Sequence, residues 1–196
     1  MPSENNKTKI YIWNPTKEKT GNGSSFKTCG HVAVETTMPK AYYSLWPILP
    51  KNNCGFFSAI EHEFKKEYEE DCDEDKGEGR QADVMICLYT LHGSKIKKAA
   101  QAIKKDLKGW CALGTKKKAS CASFAYDILI PAGLGELANL GLSSSKGSSS
   151  MTPGDMRELV ISAKQQEVEN YPEIKDFECP GETPIKSEKT GGCLVM

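Results

Sequence analysis

In Gly30-His31-Val32-Ala33-Val34-Glu35-Thr36, the run from His31 to Thr36 reads as a β-strand. Period-2 alternation sends His31, Ala33 and Glu35 to one face and Val32, Val34 and Thr36 to the other, so the histidine is set beside a small residue. Ala41 to Trp46 is a second such run, stopped by Pro47 and Pro50, and the short link Thr37 to Lys40 pairs the two as a hairpin. Upstream, Ile10-Tyr11-Ile12-Trp13 is a short strand closed by Asn14-Pro15. The polar segment Thr16 to Ser25, with Gly21 and Gly23, reads as a loop.

Downstream, Phe56 to Tyr68 reads as containing a helix, and Glu69 to Arg80 as an exposed acidic excursion without function. Asp71, Asp73 and Asp75 resemble the start of a calcium loop, but Lys76 stands where the sharp-turn glycine belongs and the distal Glu is missing, which makes them a charged surface loop. Val84 to Leu91 is a nearly continuous apolar run, the mark of a strand buried on both faces. Ser94 then caps a helix from Lys95 to Lys108, whose apolar stripe Ile96, Ala99, Ala100, Ile103 and Leu107 lies on the sheet opposite a solvated lysine face. Trp110 to Leu113 is a further strand before the Lys116-Lys117-Lys118 loop. Ser120 is an N-cap, followed at helical spacing by Cys121, Phe124, Ala125, Ile128 and Leu129 until Pro131 and Gly133. Gly141 to Ser150 is a Ser/Gly-rich linker, and Thr152-Pro153 opens a last helix over about 153–169. These elements predict an α+β fold, an antiparallel sheet packed by helices, in one domain over 1–170 with a flexible tail over 171–196.

Lysine plus arginine equals aspartate plus glutamate at 26 each in 196 residues, so no global field selects nucleic acid. No apolar run approaches the roughly 20 residues of a membrane span, and Met1 to Lys9 lacks the pattern of a secretory signal, which predicts a soluble protein. The eight cysteines do not have the spacing of a disulfide framework and are expected as free thiols. No Cys-x2-Cys pair occurs, and His31, His62 and His92 form no zinc-ligand spacing with cysteines, so neither metal nor cofactor is expected.

A helix N-terminus stabilises a thiolate through its unpaired N–H groups, and Cys121 opens a helix. A histidine on a neighbouring strand can exchange the proton, and His31 is the best candidate base, with His92 its rival. Cys54, Cys87 and Cys111 are competing thiols, but only Cys121 combines a helix start with the order of elements. His62 lies among charges. Gly30 to Thr36, then Tyr43-Ser44-Leu45-Trp46-Pro47, the apolar strand with its amphipathic helix, and Ser120-Cys121-Ala122-Ser123 resemble the circularly permuted papain-fold group. That group is similar to NlpC/P60 peptidases and lecithin:retinol acyltransferase-like enzymes, and the likeness covers about Ile10 to Gly133. The resemblance implies a thiol hydrolase, an amidase or peptidase, or an acyltransferase, with Cys121 as nucleophile and His31 as base. It points to Ser44 as the orienting third residue. Glu35 shares the face of His31 but lies two pleats along. A non-catalytic interaction module on the same fold is the alternative reading.

Cys193-Leu194-Val195-Met196 is a Cys-aliphatic-aliphatic-X box, for which methionine predicts farnesylation at Cys193 by a cellular or host prenyltransferase. Two origins fit it: a eukaryotic cytosolic protein, or a bacterial product delivered into a eukaryotic cell. One prenyl group is a weak anchor, and Lys186 and Lys189 are offset by Glu182 and Glu188, leaving Cys179 as the nearby palmitoylation candidate. Peripheral membrane association, with a protein or lipid substrate, is the expectation.

Overall fold

The computed structural model describes residues 2–20, 23–28, 30–48, 61–73, 77–111, 118–139 and 150–185. In chain order these form β1 (Thr8–Trp13), β2 (Thr16–Thr20), β3 (Gly23–Thr28), β4 (His31–Thr37), β5 (Lys40–Pro47), β6 (His62–Lys65), α1 (Tyr68–Cys72), β7 (Val84–Leu88) and α2 (Gly93–Asp106). There follow β8 (Gly109–Trp110), β9 (Lys118–Ala119), α3 (Cys121–Leu129), α4 (Leu134–Leu137) and α5 (Pro153–Asn170). The fold is mixed α+β, built on a five-stranded antiparallel sheet in the order β6-β5-β4-β1-β7. The expected hairpin of His31 to Thr36 with Ala41 to Trp46 is present, with Ala33 opposite Ser44.

The alternation of β1 and β4 sorts the sheet into two faces. Ile10, Ile12, Val32, Val34, Leu45, Ile86 and Leu88 point into the main core. There they meet Ile96 and Ala100 of α2, Phe124, Ala125 and Ile128 of α3, and Met156, Val160 and Ala163 of α5. The other face carries Tyr11, Trp13 and Ala33, packed against Tyr42, Met85 and Tyr68, Cys72 of α1. Burying a Leu- or Phe-sized side chain stabilises by about 1.5–3 kcal/mol, so the interior of the sheet supplies most of the driving force.

Several expectations are corrected. Within the polar segment expected as a loop, Thr16–Thr20 and Gly23–Thr28 are strands that pair antiparallel, with too little apolar alternation to be read as such from the sequence. His62–Lys65, expected as helix, is strand β6, pairing with Ser44–Pro47; Phe64 reaches Phe124 at a ring distance of 5.5 Å, and this edge pairing overrides the helix-forming Glu and Lys content. Residues 56–60 of that expected helix, the linker 141–149 and Cys54 lie outside the described residues. Helix α2 begins at Gly93 behind His92 rather than behind a Ser94 cap; a Cβ on Gly93 would meet the Met38 carbonyl oxygen at 2.2 Å, so this close approach requires glycine. The segment 69–80 is not wholly exposed, because α1 seats Asp71 at 0% exposure. The tail is not free from residue 171 onward: Ile174 is buried and Thr183 N–H donates to the Met85 carbonyl at 2.9 Å. The cysteines are not all thiols either, for Cys87 and Cys179 form a disulfide, 92 residues apart in the chain.

Candidate active site

His31 is placed by backbone geometry. Gly30 before it has φ +75°, and a Cβ there would lie 2.6 Å from the Trp13 carbonyl oxygen, so the chain can turn tightly into β4 only with glycine. His31 is therefore the first residue of the strand, opposite Trp13 in register, and is 2% exposed. Two indoles hold its ring: Trp46 stacks at 4.2 Å with a 29° interplanar angle, and Trp13 lies at 5.4 Å.

Asp71 comes down from α1 onto the same face. It accepts hydrogen bonds from Tyr42 OH (2.5 Å, to Oδ2), Trp46 Nε1 (2.6 Å, to Oδ1) and Ser44 Oγ (2.9 Å, to Oδ1), and its Oδ2 lies 3.4 Å from His31 Nε2. Ser44, 0% exposed, stands between the two: its Oγ is 2.8 Å from His31 Nε2. Because the serine proton is given to Asp71, its oxygen meets the imidazole as an acceptor, which makes Nε2 the protonated nitrogen and leaves Nδ1 as the ring's base.

Cys121 completes the cluster from the other side of the sequence. Helix α3 has a full capping box: Ser120 Oγ accepts from Ser123 N–H at 3.1 Å, and Ser123 Oγ accepts from Ser120 N–H at 2.8 Å. These bonds leave the N–H groups of Cys121 and Ala122 at the open helix end without an acceptor among the described residues. Cys121 is 6% exposed, and its sulfur acts electrostatically on the His31 ring. The sequence-predicted Cys121, His31 and Ser44 thus meet in one buried cluster.

The charges are mutually adjusted. Burial works against the imidazolium of His31, yet the Cys121 sulfur and then the Asp71 carboxylate outweigh it and raise the His31 pKa from 6.5 to about 10. For Asp71, burial acts upward, but the hydrogen bonds from His31, Tyr42 and Ser44 prevail and hold the carboxyl below its usual value. Tyr42 is held far above the ordinary phenol range, first by burial and then by Asp71, and stays a donor. The arrangement sets together a thiol at a helix start, a histidine favoured in its protonated form, and a buried carboxylate against the ring.

Sequence reasoning missed Asp71 and assigned its segment to the surface. The residue belongs to a five-residue helix within a run of acidic residues, and only the three donors on β5, at the alternating positions 42, 44 and 46, single it out. Of the alternatives, Glu35 is engaged by Tyr11 OH at 2.6 Å and Lys9 Nζ at 3.1 Å. His92 is exposed before α2, and His62 packs edge-on against Phe64. Cys87 is in the disulfide, Cys111 is a buried thiol beside β9, and Cys193 lies outside the described residues. Cys87, Cys179 and Glu182 have ligating atoms within 4.8 Å of one another, but the sulfurs are joined and the Lys164 ammonium lies 3.3 Å from Glu182 Oε1, a poor setting for a cation. A cavity of about 600 Å³ lined by Tyr11, Glu35, Tyr42, Lys66 and Tyr68 opens near α1, and neither Cys121 nor His31 lines it. Among the described residues no helix is long and apolar enough to cross a membrane. The sequence matches no known family pattern, and neither a curated protein nor a solved structure matches the chain.

Proposed function

We propose that the protein is a thiol hydrolase or acyltransferase with a permuted papain-like arrangement, Cys121 being the nucleophile, His31 the acid and base, and Ser44 with Asp71 the groups that orient the ring. The observation that carries this reading is the buried chain from His31 through Ser44 to Asp71, with the Cys121 sulfur raising the pKa of the same imidazole. Cys121 sulfur attacks a carbonyl carbon, and the N–H groups of Cys121 and Ala122 receive the developing oxyanion. His31 gives its proton to the leaving nitrogen or oxygen as the carbon bond to it breaks, leaving an acyl thioester. It then removes a proton from water, or from another acceptor, which releases the acyl group and restores the thiol site.

Cys193 is proposed as a farnesylation site that brings this chemistry to a membrane in a eukaryotic cytosol, where protein or lipid acyl groups are the substrates. The site is tested by alkylation with iodoacetamide at low pH and peptide mapping. Cys121 should react faster than Cys72 and Cys111, and His31→Ala should abolish the advantage. Equal rates for all the thiols, unchanged by His31→Ala, would rule out the catalytic reading. Transfer of a farnesyl group to the protein but not to Cys193→Ser, with purified farnesyltransferase, tests the anchor.

A further inference from the structure

A second assembly of functional groups lies away from Cys121, on the free side of β7. An edge strand presents unpaired N–H and C=O groups, and here the chain beyond α5 takes them. Thr183 N–H donates to the Met85 carbonyl at 2.9 Å, and Met85 N–H donates to Thr183 Oγ1 at 3.0 Å. Cys87 N–H donates to Glu182 Oε1 at 2.9 Å, while the Cys87 carbonyl accepts from Lys164 Nζ at 2.8 Å. Phe177 packs edge-on against Tyr89 at 5.0 Å, and Ile185 touches the main core. The Cys87–Cys179 disulfide fastens this segment to the strand covalently.

We propose that residues 177–185 form a strap over the β7 edge, locked by the Cys87–Cys179 disulfide and opened by a dithiol reductant. Cys87 is fully buried and Cys179 half-buried, so the attacking thiolate reaches Cys179 Sγ first. The bond between Cys179 and Cys87 breaks, a mixed disulfide forms at Cys179, and Cys87 leaves as a thiolate and takes a proton. The second thiolate of the reductant then displaces Cys179 Sγ, which is protonated in turn. The dithiol closes to its own disulfide, and two electrons have passed to the protein. What remains of the strap is a handful of hydrogen bonds, two of them to side-chain oxygens, with the partly buried Phe177 and Ile185, and such contacts open locally without global unfolding. Opening unpairs Met85 and Cys87 and adds residues 177–185 to the segment that precedes Cys193. The strap stands independently of the proposed chemistry at Cys121.

Hydrogen exchange read by mass spectrometry on the full chain tests this, comparing oxidised protein, protein reduced with dithiothreitol, and Cys179→Ser, which leaves the buried Cys87 in place. The Met85 and Cys87 amides should exchange at least about ten-fold faster in the reduced and variant proteins, with β4 and α3 unchanged. Equal protection of Met85 and Cys87 in all three samples would overturn the proposal. So would acceleration spread equally over β4 and α3, since that reports general unfolding, or two free thiols at 87 and 179 under oxidising conditions.

Discussion

Asp71 Oδ2 lies 3.4 Å from His31 Nε2 with both side chains essentially withdrawn from solvent, and Ser44 Oγ joins them by hydrogen bonds of 2.8 and 2.9 Å. A buried carboxylate survives only where donors satisfy it, and Tyr42, Ser44 and Trp46 supply three in addition to the imidazole. Those donors come from alternate positions of one strand, so β5 presents a single face of O–H and N–H groups to a carboxylate arriving from α1. The ring is thus oriented by a strand and a helix together.

Asp71→Asn preserves volume and removes the charge. The imidazolium loses its buried partner, so the His31 pKa should fall and iodoacetamide alkylation of Cys121 at about pH 6 should slow by about 10- to 100-fold. Ser44→Ala removes the bridge but leaves Asp71 beside the ring, and should slow the same reaction by no more than about ten-fold. If Ser44→Ala is the more damaging of the two, serine rather than aspartate governs the histidine.

The proposed nucleophile and base could be picked from the sequence because each stands at a punctuated start: Cys121 behind the Ser120 cap, His31 behind Gly30 at the head of a β-branched run. Ser44 followed only from resemblance. Asp71 was hidden because charge patterning reports local composition, whereas its burial depends on donors 25 to 29 residues upstream. Strand β6 and the polar hairpin β2–β3 were missed for a related reason, since edge strands and short hairpins are specified by their neighbours more than by alternation. The disulfide was missed because Cys87 and Cys179 are 92 residues apart and only the path of the chain after α5 brings them together.

Stability should depend on pH through the same pair. Asp71 has a folded pKa below its unfolded value, so its contribution is present above the unfolded value and is lost as pH falls through the lower, folded one. His31 has a folded pKa raised to about 10, so its contribution is complete below 6.5 and disappears as pH rises from there through about 10. Urea unfolding across this range should show both limbs, with Asp71→Asn flattening the acid one. An unchanged acid limb in that variant would place the acid sensitivity elsewhere.

Ser123→Ala opens the capping box of α3 at one side. The Ser120 N–H loses its acceptor, while Ser120 Oγ still holds the N–H of residue 123. Loss of a capping interaction of this kind should lower stability by about 1 kcal/mol. Because Cys121 sits between the two serines, the loss should also reduce its alkylation rate, whereas Thr152→Ala, which breaks the equivalent box of α5, should lower the melting temperature alone. Equal effects of the two variants on Cys121 would mean that the cap does not position the thiol.

Gly30→Ala tests the placement of His31 from the backbone side. At φ +75° an alanine is strained, and its Cβ would press to 2.6 Å from the Trp13 carbonyl oxygen and 2.9 Å from Pro15 N, so the chain must move. Strain of this kind is worth about 1–3 kcal/mol, and a comparable loss of stability is expected in denaturant titration. The displaced strand start carries His31 away from Ser44 and the Trp46 ring, so the elevated histidine pKa, followed by its ring proton resonances, should fall toward 6.5. A variant that unfolds more easily yet keeps the raised pKa would show that Asp71 and the indoles, rather than the turn at Gly30, hold the ring in place.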